Sequence, residues 1–204
     1  ALPILVKAAR DIIEGKLYSC DVGRFNKGNF VYIAAFGLFT DVSYETDQHL
    51  KNVLCHLAYL LEGSKRIWNV PTYWIRVDAN GRTFEGEYIY GMVTNARSVG
   101  GFKNLPGKDV HLDDGLFEVT LIKRPKNPIE LNEIIASLVM AENITSLVDS
   151  FKTDRILIES NQEIPWTLDG EYGGEHSFVR IEAQKHAMEL VLNPESSLPA
   201  LKAE

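Results

Sequence analysis

The chain has 204 residues, an ordinary apolar fraction and a formal net charge of −7. That length allows one large domain with a sizeable core. The charge argues against a nucleic-acid binder, which needs a clustered basic surface, and against a strong electrostatic grip on anionic lipid.

Two cysteines, Cys20 and Cys55, do not make a disulfide framework and point to a reducing compartment. No run of about eighteen apolar residues is present, so no transmembrane helix is expected, and no signal peptide is read at the start. The opening Ala1-Leu2-Pro3 runs into a helical pattern without an initiator methionine and reads as a piece of a longer protein.

In chain order, Leu2 to Gly15 carries Leu5, Ala8, Ile12 and Ile13 at helical spacing, with Pro3 suited to a first turn and Gly15 to a stop. Leu17 to Phe25 and Phe30 to Phe36 predict two strands, with Asn26-Lys27-Gly28-Asn29 as the turn. Thr46 to Glu62 has the clearest helical pattern, lined by Leu50, Leu54, Leu57 and Leu61 and closed by Gly63. TYWIRVD and RTFEGEYIYGMVTNA predict a hairpin around Asn80-Gly81. A glycine-rich loop spans Ser98 to Lys108. The strand LFEVTLIK follows, then a helix from Ile129 to Ala141 behind Pro128, then short strands at DRILIES, IPWTL, SFVRIEA and AMELVLN. Strands dominate the middle and end without the regular helix alternation of a parallel sheet. The expected class is α+β, mainly β: an antiparallel β-sandwich, or a barrel, with flanking helices.

Few motifs carry chemistry. The loop from Gly100 to Lys108 lacks the spacing of a phosphate-binding Walker loop and reads as a surface loop. The five histidines show no ligand spacing, and no cysteine or serine sits in a nucleophile motif. HLDDGLFEV, His111 to Val119, is either a turn capped by aspartate or a hard-cation site, since a carboxylate plus backbone carbonyls suits magnesium. IPWTLDGEYGG, Ile164 to Gly174, places Asp169 and Glu171 on either side of Gly170. It reads as a hairpin turn or as a site in which Trp166 and Leu168 form an apolar wall, raising a carboxylate pKa for proton abstraction.

Four segments in this order, Asp21 to Gly37, TDVSYET with its helix, the Asp-Asp-Gly-Leu stretch at Asp114 and the closing Trp-x-x-Asp-Gly-Glu, resemble the second half of the bacterial diacylglycerol kinases. These belong to the wider lipid kinase family that includes the sphingosine kinases. The resemblance covers nearly the whole chain. It implies a two-domain enzyme whose N-terminal domain carries a Gly-Gly-Asp-Gly-Thr nucleotide loop, absent from this sequence, so that most of the ATP site lies elsewhere.

It further implies that residues 1–22 trail from a nucleotide-binding domain. Residues 23–185 form the substrate-side β-sandwich, and 186–204 return to the nucleotide-binding domain. Glu171 matches the family's catalytic base, with Asp169 orienting the turn or helping to hold a catalytic magnesium through water. Asp114 matches a structural Mg2+ ligand, joined by the carbonyls of His111 and Leu116. The implied co-substrate is ATP. The implied partners are a lipid, most simply diacylglycerol, and the missing domain, with a homodimer as a further expectation and no nucleic acid. The implied location is cytoplasmic, peripheral to the membrane. The competing expectation is a non-catalytic β-sandwich module that binds lipid or protein and uses Asp-Gly-Glu only as a turn. A hydrolase using Asp169 and Glu171 lacks a nucleophile and a second carboxylate motif.

Overall fold

The computed structural model describes residues 2–38, 70–99, 109–140 and 145–192. The helix expected over Thr46–Glu62, with Cys55 on it, and the loop over 100–108 lie outside these residues.

The elements run α1 (Leu2–Glu14), β1 (Lys16–Phe25), β2 (Gly28–Phe30), β3 (Ile33–Gly37), β4 (Tyr73–Ala79), β5 (Arg82–Thr94), β6 (Phe117–Lys123), α2 (Pro128–Met140), β7 (Val148–Thr153), β8 (Arg155–Leu168) and β9 (Glu171–Leu192). Among the described residues no helix is long and apolar enough to cross a membrane.

The nine strands among the described residues join one sheet, eight of them in the order β2-β1-β9-β8-β3-β5-β6-β7. β4 lies beyond the end of β3, between β5 and β8. Every pairing is antiparallel. The mainly β, antiparallel α+β class with flanking helices is therefore the one observed, its layers formed by one sheet curled on itself. Phe30 near one edge and Phe117 on the far side bring their rings to 5.5 Å, which shows how tightly it curls.

Two apolar layers follow from strand alternation. The inner face encloses Phe25, Phe30, Phe36, Ile75, Val77, Tyr88, Phe117, Ile156, Trp166 and Ile181. The outer face of β3, β5 and β6 packs Ala35, Met92 and Ile122 against Leu131, Ile134 and Leu138 of α2. β5 is buried over its whole second half because it is covered on both sides.

Helix α2 starts where the sequence says it should. Asn127 accepts the Glu130 amide at 3.0 Å, and Glu130 reaches back to the Lys126 amide at 2.6 Å. This reciprocal cap, with Pro128 in the first turn, satisfies donors that the helix itself cannot.

Several local expectations change, and the strand expected over Phe30 to Phe36 is broken at Val31 and Tyr32 into β2 and β3. The turn after β1 is only Asn26-Lys27, because β2 begins at Gly28. DRILIES and IPWTL are one strand, β8, and the last two expected strands are one strand, β9. β7 was not expected: in VDSFKT only Val148 and Phe151 are apolar, so its conformation comes from pairing with β6 rather than from its own pattern.

Trp166 sits between Phe25 and Phe36, with ring centroids at 5.0 and 4.8 Å. Trp166→Ala should cost about 3–5 kcal/mol by opening a cavity there. Urea denaturation read by circular dichroism checks this; a cost below about 1 kcal/mol would contradict the packing.

Candidate functional site at the β8–β9 turn and the loop before β6

The turn joining β8 to β9 consists of Asp169 and Gly170, with Leu168 paired to Glu171. Both turn residues have positive φ, 52° and 91°. This is the two-residue hairpin geometry that favours Asp-Gly, since few other residues enter the left-handed region cheaply. A side chain at Gly170 would meet nothing within 4 Å, so the tip is open.

The Asp169 carboxylate faces the linker between β2 and β3. Oδ2 accepts the Val31 amide at 2.7 Å, and Oδ1 accepts those of Tyr32 and Ile33 at 2.8 and 2.9 Å. The Asp169 amide donates to the Ile33 carbonyl at 2.8 Å. Four hydrogen bonds thus hold one turn to one linker.

Glu171 is exposed, and its carboxylate makes no hydrogen bond or ion pair among the described residues. Its face is set by its pairing with Leu168, and a bulge follows. Trp166 pairs with Gly174 and Thr167 with Tyr172, so Gly173 is an extra residue on β9. Directly paired residues of an antiparallel ladder share a face. Glu171 therefore lies on the face of Leu168, at the rim of the inner core, while Tyr172 turns to the outside. The bulge joins this register to the one that runs from Gly174 onward.

The second cluster is the loop before β6. Asp114 Oδ1 accepts the Leu116 amide at 2.9 Å, and Gly115 has φ 80°. The loop is anchored by Asp21, which is fully buried. Asp21 accepts the Gly115 amide at 2.5 Å and the His186 amide at 2.8 Å, and its own amide donates to the Leu112 carbonyl at 2.7 Å. Asn95 donates through Nδ2 to the carbonyls of Asp21 and Leu112 at 2.9 and 3.2 Å.

The Asp113 carbonyl faces His186 Nε2 at 3.1 Å. Asp114 Oδ2 and the carbonyls of His111 and Leu116 are not engaged by any of these bonds. That set of hard oxygens fits magnesium, which keeps several waters and needs few protein ligands. No group of three or more His, Cys, Asp or Glu side chains among the described residues could hold a metal, so a cation in this loop would depend on the backbone oxygens.

Turn and loop lie at the same end of the sheet. Among the described residues no hydrogen bond runs directly between them, but a relay does. The Tyr32 carbonyl accepts Thr94 Oγ1 at 2.6 Å and the Asn95 amide at 3.1 Å, and Asn95 reaches the loop. The apolar wall expected beside the acids does not form. Trp166 turns into the core, and Asp169 and Glu171 are both exposed.

Asp21, Asn95 and Glu118, which the structure brings to this end of the sheet, carry no role in the sequence reading. Asp21 only opens one of the four resembling segments, and Asn95 lies in an expected strand. Glu118 is 2% exposed and pairs in the ladder with Thr94 and Lys152. Lys152 Nζ is 3.3 Å from its Oε1, close enough for an ion pair but without hydrogen-bond geometry. Lys152 also donates to the Asp109 carbonyl, which ties this pair to the loop. Burial pushes the Glu118 carboxyl up to about 7; Lys152 offsets part of the rise and Asp114 adds to it. The Cys20 thiol is also pushed up, by burial first and then by Asp113 and Asp21, which is the opposite of a nucleophile's environment.

Comparison with known proteins now bears on these residues. The chain is 31% identical to a diacylglycerol kinase of Bacillus subtilis over 171 residues, covering 83% of this chain and 56% of that protein. It is 33% identical to a diacylglycerol kinase of Staphylococcus carnosus over 172 residues, covering 84% and 56%. The chain thus spans just over half the length of the curated relatives it matches. A solved diacylglycerol kinase from Bacillus anthracis shares the fold with a TM-score of 0.65 at 17% identity, over 95% of this chain and 60% of that one. No family model matches. The resemblance carried by the four segments is therefore real homology to a portion of the bacterial diacylglycerol kinases.

Two predictions follow from the geometry. Asp169→Ala strands three amides and should cost about 2 kcal/mol, allowing for its exposure to water. That corresponds to a melting temperature lower by about 4–8 °C at this chain length. Asp169→Asn, which keeps one acceptor oxygen and tolerates the turn, should lose less.

For Glu118, the folded pKa lies above the unfolded value of about 4.3, so the native state holds the extra proton between about pH 4 and 7. Stability then falls as pH rises through that window, by about 3 kcal/mol from this group. In buffer with chelator, denaturation midpoints of the wild type and Glu118→Gln measured from pH 4.5 to 7.5 should converge in slope only if Glu118 is not the cause.

Proposed function

We propose that this chain, homologous to part of the bacterial diacylglycerol kinases, is the substrate-side portion of an ATP-dependent lipid kinase. The reaction moves the γ-phosphoryl group of ATP to a lipid hydroxyl, with diacylglycerol giving phosphatidic acid. The observation that carries the reading is the division of labour at the β8–β9 turn. Asp169 commits both oxygens to three backbone amides, while Glu171, one residue past the open tip, keeps its carboxylate unengaged among the described residues.

Glu171 takes the proton from the lipid hydroxyl as that oxygen attacks the γ-phosphorus, and ADP leaves with the bridging oxygen's electron pair. Phosphoryl transfer asks a protein mostly for positioning and charge neutralisation, so one aimed carboxylate is a sufficient share for this side of the cleft. Asp169 orients the turn. Asp114 and the carbonyls of His111 and Leu116 are the residues that would hold Mg2+. Bound magnesium would supply fixed positive charge to a loop whose surroundings carry Asp113, Asp114 and Glu118.

The nucleotide comes from a partner domain. Ile4, Leu5, Val6, Ile12 and Ile13 of α1 are exposed, as are Leu17, Leu190 and Val191 on the neighbouring ends of β1 and β9. β1 from Lys16 to Cys20 pairs with Met188 to Leu192 of β9, so the segments assigned to 1–22 and to 186 onward share one ladder. An apolar surface of this extent suits an interface with a nucleotide-binding domain, and in the isolated chain it favours self-association. The protein meets its lipid at the cytoplasmic bilayer surface without spanning it.

In the intact gene product, Glu171→Gln should lower the rate of lipid phosphorylation at least about 100-fold, with the fold and Mg2+ content unchanged. A radiolabelled ATP assay on diacylglycerol in mixed micelles measures it. Retained activity would transfer the case to the binding module, in which Asp-Gly-Glu is only a turn.

A further inference from the structure

We infer that His176 is a positioning residue for Glu171, acting through the carbonyl of Gly173. The inference rests on the reading of Glu171 as the base. Glu171 pairs with Leu168, and the extra residue Gly173 is what joins that register to the one running from Gly174 onward, so whatever holds the bulge holds the register of the base. A bulged residue leaves the regular ladder, and its carbonyl needs another donor. His176 Nε2 stands 3.0 Å from the Gly173 oxygen. A carbonyl can only accept, so Nε2 carries the hydrogen.

The ring is itself held in place. Its edge packs on Phe25 with ring centroids 5.4 Å apart, and Phe25 is 2% exposed and packed against Trp166. The two glycines make room for this arrangement. A side chain at Gly174, which has φ 93°, would begin 2.9 Å from His176 Nε2, and one at Gly173 would begin 2.8 Å from Leu168 Cγ. A rigid core aromatic, an imidazole donor and a bulge carbonyl therefore form a short line from the interior to the peptide that aims Glu171.

The bland alternative is a partly buried histidine that only adds stability. The two differ in what they do to turnover. His176→Phe keeps the ring on Phe25 and removes the donor, whereas His176→Gln restores a donor. In the full-length gene product, His176→Phe should lower kcat for lipid phosphorylation by about tenfold with KM for ATP within about twofold, since misplacing a reacting group costs rate rather than nucleotide binding. His176→Gln should recover most of kcat.

In the Glu171→Gln background, adding His176→Phe should leave the residual rate unchanged, because the two residues act as one unit. Wild-type kcat in His176→Phe, equal losses in the Phe and Gln variants, or a full additive loss on top of Glu171→Gln would each overturn the inference. Should His176→Phe not fold, His176→Met, of similar volume and also without a donor, takes its place in each comparison. The base reading fails separately: it falls if Glu171→Gln alone keeps the wild-type rate. The positioning role alone falls if Glu171→Gln is inactive while His176→Phe is not impaired.

Discussion

The carboxylate of Asp169 receives the amides of three consecutive residues, Val31, Tyr32 and Ile33, and the geometry of the site depends on that bracket. Val31 and Tyr32 lie between β2 and β3, outside any ladder, and their N–H groups need acceptors that the sheet does not provide. An ionised acceptor meeting three donors forms hydrogen bonds stronger than neutral ones. The bracket also sets the rest of the rim. The Tyr32 carbonyl holds Thr94 and Asn95, and Asn95 holds Asp21 and Leu112. One polar relay thus ties the middle of β1 and the ends of β3, β5 and β8 to the loop before β6.

This rim is where the fold tolerates charge. The curled sheet spends its inner face on aromatic and branched aliphatic residues, which leaves polar groups to the strand ends and the loops between them. The two buried carboxylates there are treated differently. Asp21 is supplied with two amides, the usual condition for burying an ionised group. Glu118 has only an ammonium in ion-pair range, and its proton affinity rises accordingly. The loop between them carries Asp113 and Asp114, so this end of the sheet concentrates negative charge that a cation would relieve.

Much of the architecture was legible because its signals are local. Asn80-Gly81 and Asp169-Gly170 dictate tight hairpins, since both positions of each need positive φ. Asn127-Pro128 with Glu130 dictates a helix start. The strand β7 was not legible, because a polar edge segment becomes a strand only when β6 offers it a ladder. The site was legible in part. Glu171, Asp169, Asp114, His111 and Leu116 were singled out from motif order, and Asp21, Asn95 and Glu118 were not, because their roles depend on partners 17 to 165 positions away or on burial that no short window reveals. Trp166 misled for a related reason: its position beside the acids in the chain says nothing of which face it takes.

The sequence by itself determined most of the elements, the tight hairpin turns and the residue types at the site, because propensity, capping and left-handed turn chemistry act over a few neighbours. Only the tertiary structure decided the single curled sheet, the joining of β8 and β9 into long strands, and the bulge at Gly173. It also decided the commitment of Asp169 to the β2–β3 linker and the freedom left to Glu171. Those depend on register, and register is a property of two strands together: a slip of one residue in the pairing would move a carboxylate from one face of the sheet to the other.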